Sequence, residues 1–298
     1  MSEDPPHHRP HGPGTLHGPP RPGICSVTFR RLPVEELARR AARAGLTAVE
    51  WGADVHAPPD DPAALAAARA AADRHGLVRC SYGSYFHGLP DELPGFPGVA
   101  RAAVTLGAPR VRVWAGTTGS AATTEEERAR TTEGLRRAAL VARDHGLELA
   151  LEFHGRTLTD SVPSTVRLLE ELERPSRTGG AAADNVTAYW QPPQDAPDDE
   201  ALTGLAALAD RVSAVHVFSW WPGNRRLPLT ARDGLWGRAF ALLAAHPRPR
   251  DALLEFVPDD DPAVLDREAA ALRRAASSDP APTAPGPGAP DRPRVTLE

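Results

Sequence analysis

Residues 135–154 read "LRRAALVARDHGLELALEFH", and they contain the whole repeating logic of the chain. A helical stretch runs into Gly146, a residue suited to the left-handed turn that closes a helix. An apolar strand follows. In it Leu147, Leu149, Leu151 and Phe153 alternate with Glu148, Ala150, Glu152 and His154. Strand side chains point to opposite faces in turn, so Glu152 and His154 share a face with Ala150. The same unit recurs in "ARRAARAGLTAVEW" (38–51) and "ARAAADRHGLVRCSYG" (68–83). Strands are predicted to begin near Ile24, Ala48, Val78, Val111, Leu147, Val186, Ser213 and Ala252. Helices are predicted at about 33–44, 61–75, 97–107, 124–145, 162–174, 199–210, 231–245 and 262–276. Strict strand–helix alternation implies a parallel sheet, and eight units in one domain fit a closed (β/α)8 TIM barrel over 22–276. A doubly wound open sheet is the alternative. The first strand, "ICSVTFRRLP" (24–33), lacks the glycine-rich phosphate turn of a dinucleotide fold.

The flanks differ in composition. Residues 1–21 and 277–298 are rich in Pro, Gly and His or Ser and cannot bury a core, so both are expected to be disordered tails. The apolar fraction of 41% supplies a real core for the segment between them. A net charge of −5 gives no electrostatic footprint for nucleic acid, and no apolar run is long enough for a membrane span. With no signal peptide and only Cys25 and Cys80 as thiols, a cytoplasmic protein is expected, both cysteines serving as small core residues. All 34 basic residues are Arg. The absence of Lys excludes Schiff-base chemistry and a phosphate-binding P-loop.

A TIM barrel carries its chemistry at the C-terminal ends of its strands. Glu152, His216 and Glu255 each stand near such an end, embedded among apolar residues. Two carboxylates and an imidazole meeting at one point repel or protonate unless a cation lies between them. A divalent metal with oxygen and imidazole ligands satisfies that need, and Gln191 adds a neutral oxygen. The competing reading gives each group its own hydrogen bond, or pairs it with an arginine such as Arg112. Around this centre, His154, Trp114, Arg112, His56, His87, Trp190 and Arg225 are candidate substrate contacts. The indoles suit the apolar face of a sugar, and Arg225 with Arg226 suits an anionic group.

"TAVEWGADVH", "VRVWAG", "LALEFHG", "AVHVFSW" and "ALLEFV" together resemble the xylose isomerase-like barrel superfamily, and within it the sugar phosphate isomerase/epimerase branch. The resemblance covers about residues 22–276. It implies a divalent metal, Mn²⁺ first among Mg²⁺, Co²⁺ and Zn²⁺, held by Glu, Asp, His and Glu from barrel strands five to eight. Glu152, His216 and Glu255 match three of these positions. At the fourth the chain has "YWQPP" (189–193), with Gln191 as the replacement ligand. The resemblance further implies that Glu152 and Glu255 move protons on opposite faces of a small keto-sugar, polyol or sugar phosphate, through an enediolate. A dehydratase, and a sugar-binding barrel without full metal coordination, are the alternatives. The expected partner is a small carbohydrate, in a monomer or homo-oligomer, with no nucleic acid and no membrane.

Overall fold

The computed structural model describes residues 18–176, 180–220, 223, 225–246, 248 and 250–277. The expected tails, 1–21 and 277–298, fall almost wholly outside them. Eight parallel strands close into a barrel: β1 (Arg21–Cys25), β2 (Ala48–Gly52), β3 (Val78–Gly83), β4 (Arg110–Val113), β5 (Glu148–Glu152), β6 (Val186–Trp190), β7 (Val212–Val217) and β10 (Asp251–Leu254). β1 pairs with β10 on one side and β2 on the other, which closes the ring and removes the open-sheet alternative. Helices α1 (Val34–Arg43), α2 (Pro62–Arg74), α3 (Phe96–Leu106), α4 (Glu125–Asp144), α5 (Val162–Glu173), α6 (Asp198–Leu208), α7 (Asp233–Ala244) and α8 (Leu265–Ser277) follow the strands in turn. A short antiparallel pair not foreseen in the sequence, β8 (Ser219–Trp220) and β9 (Arg226–Leu227), lies between β7 and α7.

Local chemistry explains the element ends. Thr124 accepts from the Glu127 amide while the Glu127 side chain accepts from Thr124, a capping box that starts α4. Gly146 ends the same unit at φ +70°, and Gly45 and Gly76 do so likewise.

Alternation sorts each strand into two faces. The outward face packs under the helices in the main core, with Val49, Trp51, Leu149, Leu151 and Trp190 all buried. Inside the barrel, Ala48, Cys80, Ala150, Tyr189, Ala214 and Leu253 form a narrow apolar layer. Below it Arg110 bridges to Asp251 at 3.0 Å and to Glu148 at 3.5 Å. Above it, at the C-terminal mouth, the inward positions turn polar again.

Candidate functional site

The next inward positions are Cys25 on β1, Glu50 on β2, Gly83 on β3, Arg112 on β4, Glu152 on β5 and His216 on β7. Gln191 and Glu255 follow the ends of β6 and β10. Arg112, Glu152, Gln191 and Glu255 line a cavity of about 790 Å³. Its walls include Arg30, Tyr85, Trp114, Trp220 and Phe256.

Arg112 is the buried cation of the centre. Its Nη1 lies 3.1 Å from Glu152 Oε2, and its Nη2 lies 3.5 Å from Glu50 Oε1. The Trp114 indole N–H donates to the same Glu152 Oε2 at 2.5 Å. The arginine pairing weighed in the sequence is therefore present, and it leaves Glu152 Oε1 facing His216. Glu50 is absent from the ligand set read in the sequence, although it follows Ala48 in plain alternation. β2 lies beside β1 in the closed ring, and across the narrow interior Glu50 Oε1 comes 3.7 Å from His216 Nε2 of β7.

Gly83 makes room for this pairing. A Cβ there would stand 2.8 Å from both Arg112 Nη2 and Glu50 Oε1. Gly83→Ala is expected to push the pair apart and destabilise the fold by about 1–3 kcal/mol, the usual range for overpacking. Urea denaturation measures it, and an unchanged midpoint would show that the pair has slack.

The fields of these groups are opposed. Burial raises the Glu50 carboxyl, but Arg112 and then His216 outweigh it and hold the group at about 2. Glu152 is likewise pushed up by burial and pulled well below the usual carboxylate range, chiefly by Arg112. Glu255 is buried with less compensation. Desolvation, aided by Glu152, raises it to about 7 against the pull of His216. Burial disfavours the His216 imidazolium, yet Glu255 and Cys25 hold it well above its ordinary value. Burial drives the Cys25 thiol up to about 12.

Three side-chain oxygens surround His216 Nδ1: Gln191 Oε1 at 3.2 Å, Glu255 Oε2 at 3.4 Å and Glu152 Oε1 at 3.5 Å. Most of these gaps exceed an ordinary N–H···O bond. They are close to the roughly 3.0–3.4 Å between neighbouring donors on a cation bonded at about 2.1 Å. Cys25, His216 and Glu255 each place a donor atom within 4.8 Å of the other two. Glu152 stands outside that mutual group, anchored by Arg112 and Trp114, and its Oε1, 3.5 Å from His216 Nδ1, is the oxygen it would offer to an ion. The donor set thus fits a divalent metal.

The other sequence candidates divide by the face they occupy. Trp114 and His154 line the cavity with rings stacked at 5.0 Å. His87 lies behind Trp114, its centroid 5.1 Å away, and its Nδ1 is paired with Glu92. Trp190 is taken away from the cavity. Tyr189 and Gln191 are the inward residues at the end of β6, so Trp190 points outward against Trp236. His56 is also removed, because it packs against the outward Trp51 and its Nε2 bonds the Leu32 carbonyl at 2.9 Å. Arg225 is an exposed loop residue outside the cavity lining. Its neighbour Arg226 lies over the Phe256 ring at 4.5 Å.

The family model described as a xylose isomerase-like TIM barrel matches residues 38–275. The chain belongs to this family. Its members commonly bind divalent metals. A 3-dehydroshikimate dehydratase from Bacillus anthracis is 36% identical over 67 residues, which is 22% of this chain and 24% of that protein. The chain therefore matches only about a quarter of that relative's length. The crystal structure of the probable 3-DHS dehydratase involved in petrobactin synthesis from Bacillus anthracis superposes with a TM-score of 0.67 at 17% identity, covering 85% of this chain and 98% of that one. A D-allulose 3-epimerase from Methylomonas sp. in complex with D-allulose superposes with a TM-score of 0.61 at 14% identity, covering 86% and 97%. At such identities these likenesses carry the family fold alone. No helix among the described residues is long and apolar enough to cross a membrane.

Proposed function

We propose that this family member is a metal-dependent isomerase or epimerase of a small polyhydroxylated ketone, a keto-sugar, polyol or sugar phosphate. The reaction removes a proton from the carbon beside the carbonyl and returns one. The observation that carries this reading is the convergence of Glu152, His216, Glu255 and Gln191 on one point at the C-terminal mouth, with side-chain donors 3.2–3.5 Å from His216 Nδ1. Glu152, His216, Gln191 and Glu255 would hold the metal. When bound, it polarises the substrate carbonyl and so acidifies the neighbouring C–H.

The chain's own groups divide the remaining work. Arg112 and Trp114 fix Glu152 Oε2, so Oε1 would face the metal with one lone pair and take the substrate proton on the other. Glu255, across His216, is positioned to return a proton on the other side. The stacked Trp114–His154 pair offers a flat wall to the substrate's carbon face. Tyr85, Trp220 and Phe256 narrow the cavity and exclude water.

A dehydratase is the second reading, favoured by the segment shared with the Bacillus anthracis dehydratase. It shares the first proton transfer and differs in expelling water afterwards. Metal analysis of the purified protein tests the common premise. About one divalent ion per chain is expected, with turnover abolished by chelation and restored by added Mn²⁺ or Zn²⁺. A metal-free protein that takes up none of the offered ions would favour a binding barrel instead.

A further inference from the structure

The centre has an imbalance of charge. Where the resemblance implies a carboxylate ligand on the sixth barrel strand, Gln191 brings a neutral oxygen. The deficit falls beside a group that the sequence presents only as a small core residue. Cys25 ends β1, and β1 pairs with β10 through Ile24 and Leu254, so the thiol lies next to Glu255. Cys25, His216 and Glu255 hold donor atoms within 4.8 Å of one another. The His216 ring is wholly buried, and its Nδ1 is the atom that Gln191, Glu255 and Glu152 already surround.

We infer that Cys25 is a ligand of this barrel's metal, supplying as a thiolate the negative charge that Gln191 does not. The inference rests on the metal-dependent reading above. Bonds of about 2.3 Å to sulfur and 2.0–2.2 Å to nitrogen and oxygen draw such donors to roughly 3.3–3.6 Å apart. Side-chain rotation covers that difference. On binding, the Cys25 S–H bond breaks, a sulfur–metal bond forms, and the proton leaves to buffer, so uptake is accompanied by proton release. A thiolate also changes the choice of ion. Sulfur favours Zn²⁺ and Co²⁺ over Mg²⁺ and Mn²⁺. The other thiol, Cys80, cannot substitute. It lies one layer deeper and is engaged with the Val49 carbonyl at 3.3 Å.

The test is the electronic spectrum of the full chain titrated with Co²⁺. A near-ultraviolet thiolate-to-cobalt charge-transfer band is expected beside the visible d–d bands. Cys25→Ser should abolish the former and keep the latter, and Cys80→Ser should keep both. Competition with a chromogenic chelator should show Zn²⁺ affinity falling at least ~100-fold in Cys25→Ser, since removing even an outer partner of a ligand lowers affinity ~10–100-fold. Visible bands without the charge-transfer band in the parent protein would overturn the Cys25 assignment while leaving the metal reading intact. Absence of any Co²⁺ spectrum would overturn both. A band that survives in Cys25→Ser and is lost in Cys80→Ser would place the sulfur elsewhere and overturn the assignment.

Discussion

Arg112→Met is expected to lose about 3–5 kcal/mol of folding stability at neutral pH in metal-stripped protein, the usual result of removing one member of a buried charge cluster. The side chain is replaced by one of similar length, so the loss is chiefly electrostatic. Glu50 and Glu152 are both almost fully buried and both face the guanidinium. Without it, only His216 remains to balance Glu50, Glu152 and Glu255. The size agrees with the site's own fields. Glu50 is held at about 2 against an ordinary value of 4.5, and at about 1.4 kcal/mol per unit this corresponds to roughly 3 kcal/mol. A depressed carboxyl contributes stability that is complete above 4.5 and disappears as the pH falls through about 2. The gap between parent and variant should therefore narrow as the pH is lowered from 4.5 towards 2. Urea denaturation across that range measures it. A gap independent of pH would mean that Arg112 stabilises by packing.

Glu152→Gln is expected to lower turnover by ~10²–10⁴-fold at saturating metal, the usual contribution of a positioned acid–base group. The physical reason lies in the two donors on Oε2. Arg112 Nη1 and the Trp114 indole N–H will both choose the oxygen of the introduced amide over its NH₂. The NH₂ then occupies the place of Oε1, where it has no lone pair to accept a proton or hold a cation. The scaffold survives because the Trp114 hydrogen bond and the Arg112–Glu50 ion pair remain. Circular dichroism should match the parent, and metal affinity should fall together with rate. A variant with parental turnover would remove Glu152 from the chemistry.

The fold was legible because each unit carries its own punctuation. Gly45, Gly76 and Gly146 mark helix ends, and every predicted strand start lies within three residues of the observed one. The inward placement of Glu152 and of His216 was legible for a related reason, since alternation sets the face of each on its own strand. The same alternation explains Trp190, which neighbours two inward residues and so points outward to Trp236. Glu50 and Cys25 were harder to see. They lie far from Glu255 in sequence, and only the closure of β1 onto β10 places them at its side. His56 was misleading because a residue in a loop beyond a strand end can turn outward, as its packing against Trp51 and its bond to Leu32 show.

Proton removal beside a carbonyl by this carboxylate pair should be visible as exchange of carbon-bound hydrogen with solvent. The metal-loaded protein is incubated in D₂O with a panel of keto-sugars, their phosphates and cyclic polyhydroxy ketones, and the carbon-bound hydrogens are followed by NMR. Deuterium should enter a carbon adjacent to the carbonyl of at least one ligand, with the parent protein and not with Glu152→Gln. A ligand that binds at the mouth in the presence of Mn²⁺ or Zn²⁺, with neither exchange nor conversion anywhere in the panel, would contradict the account and leave a binding barrel in its place.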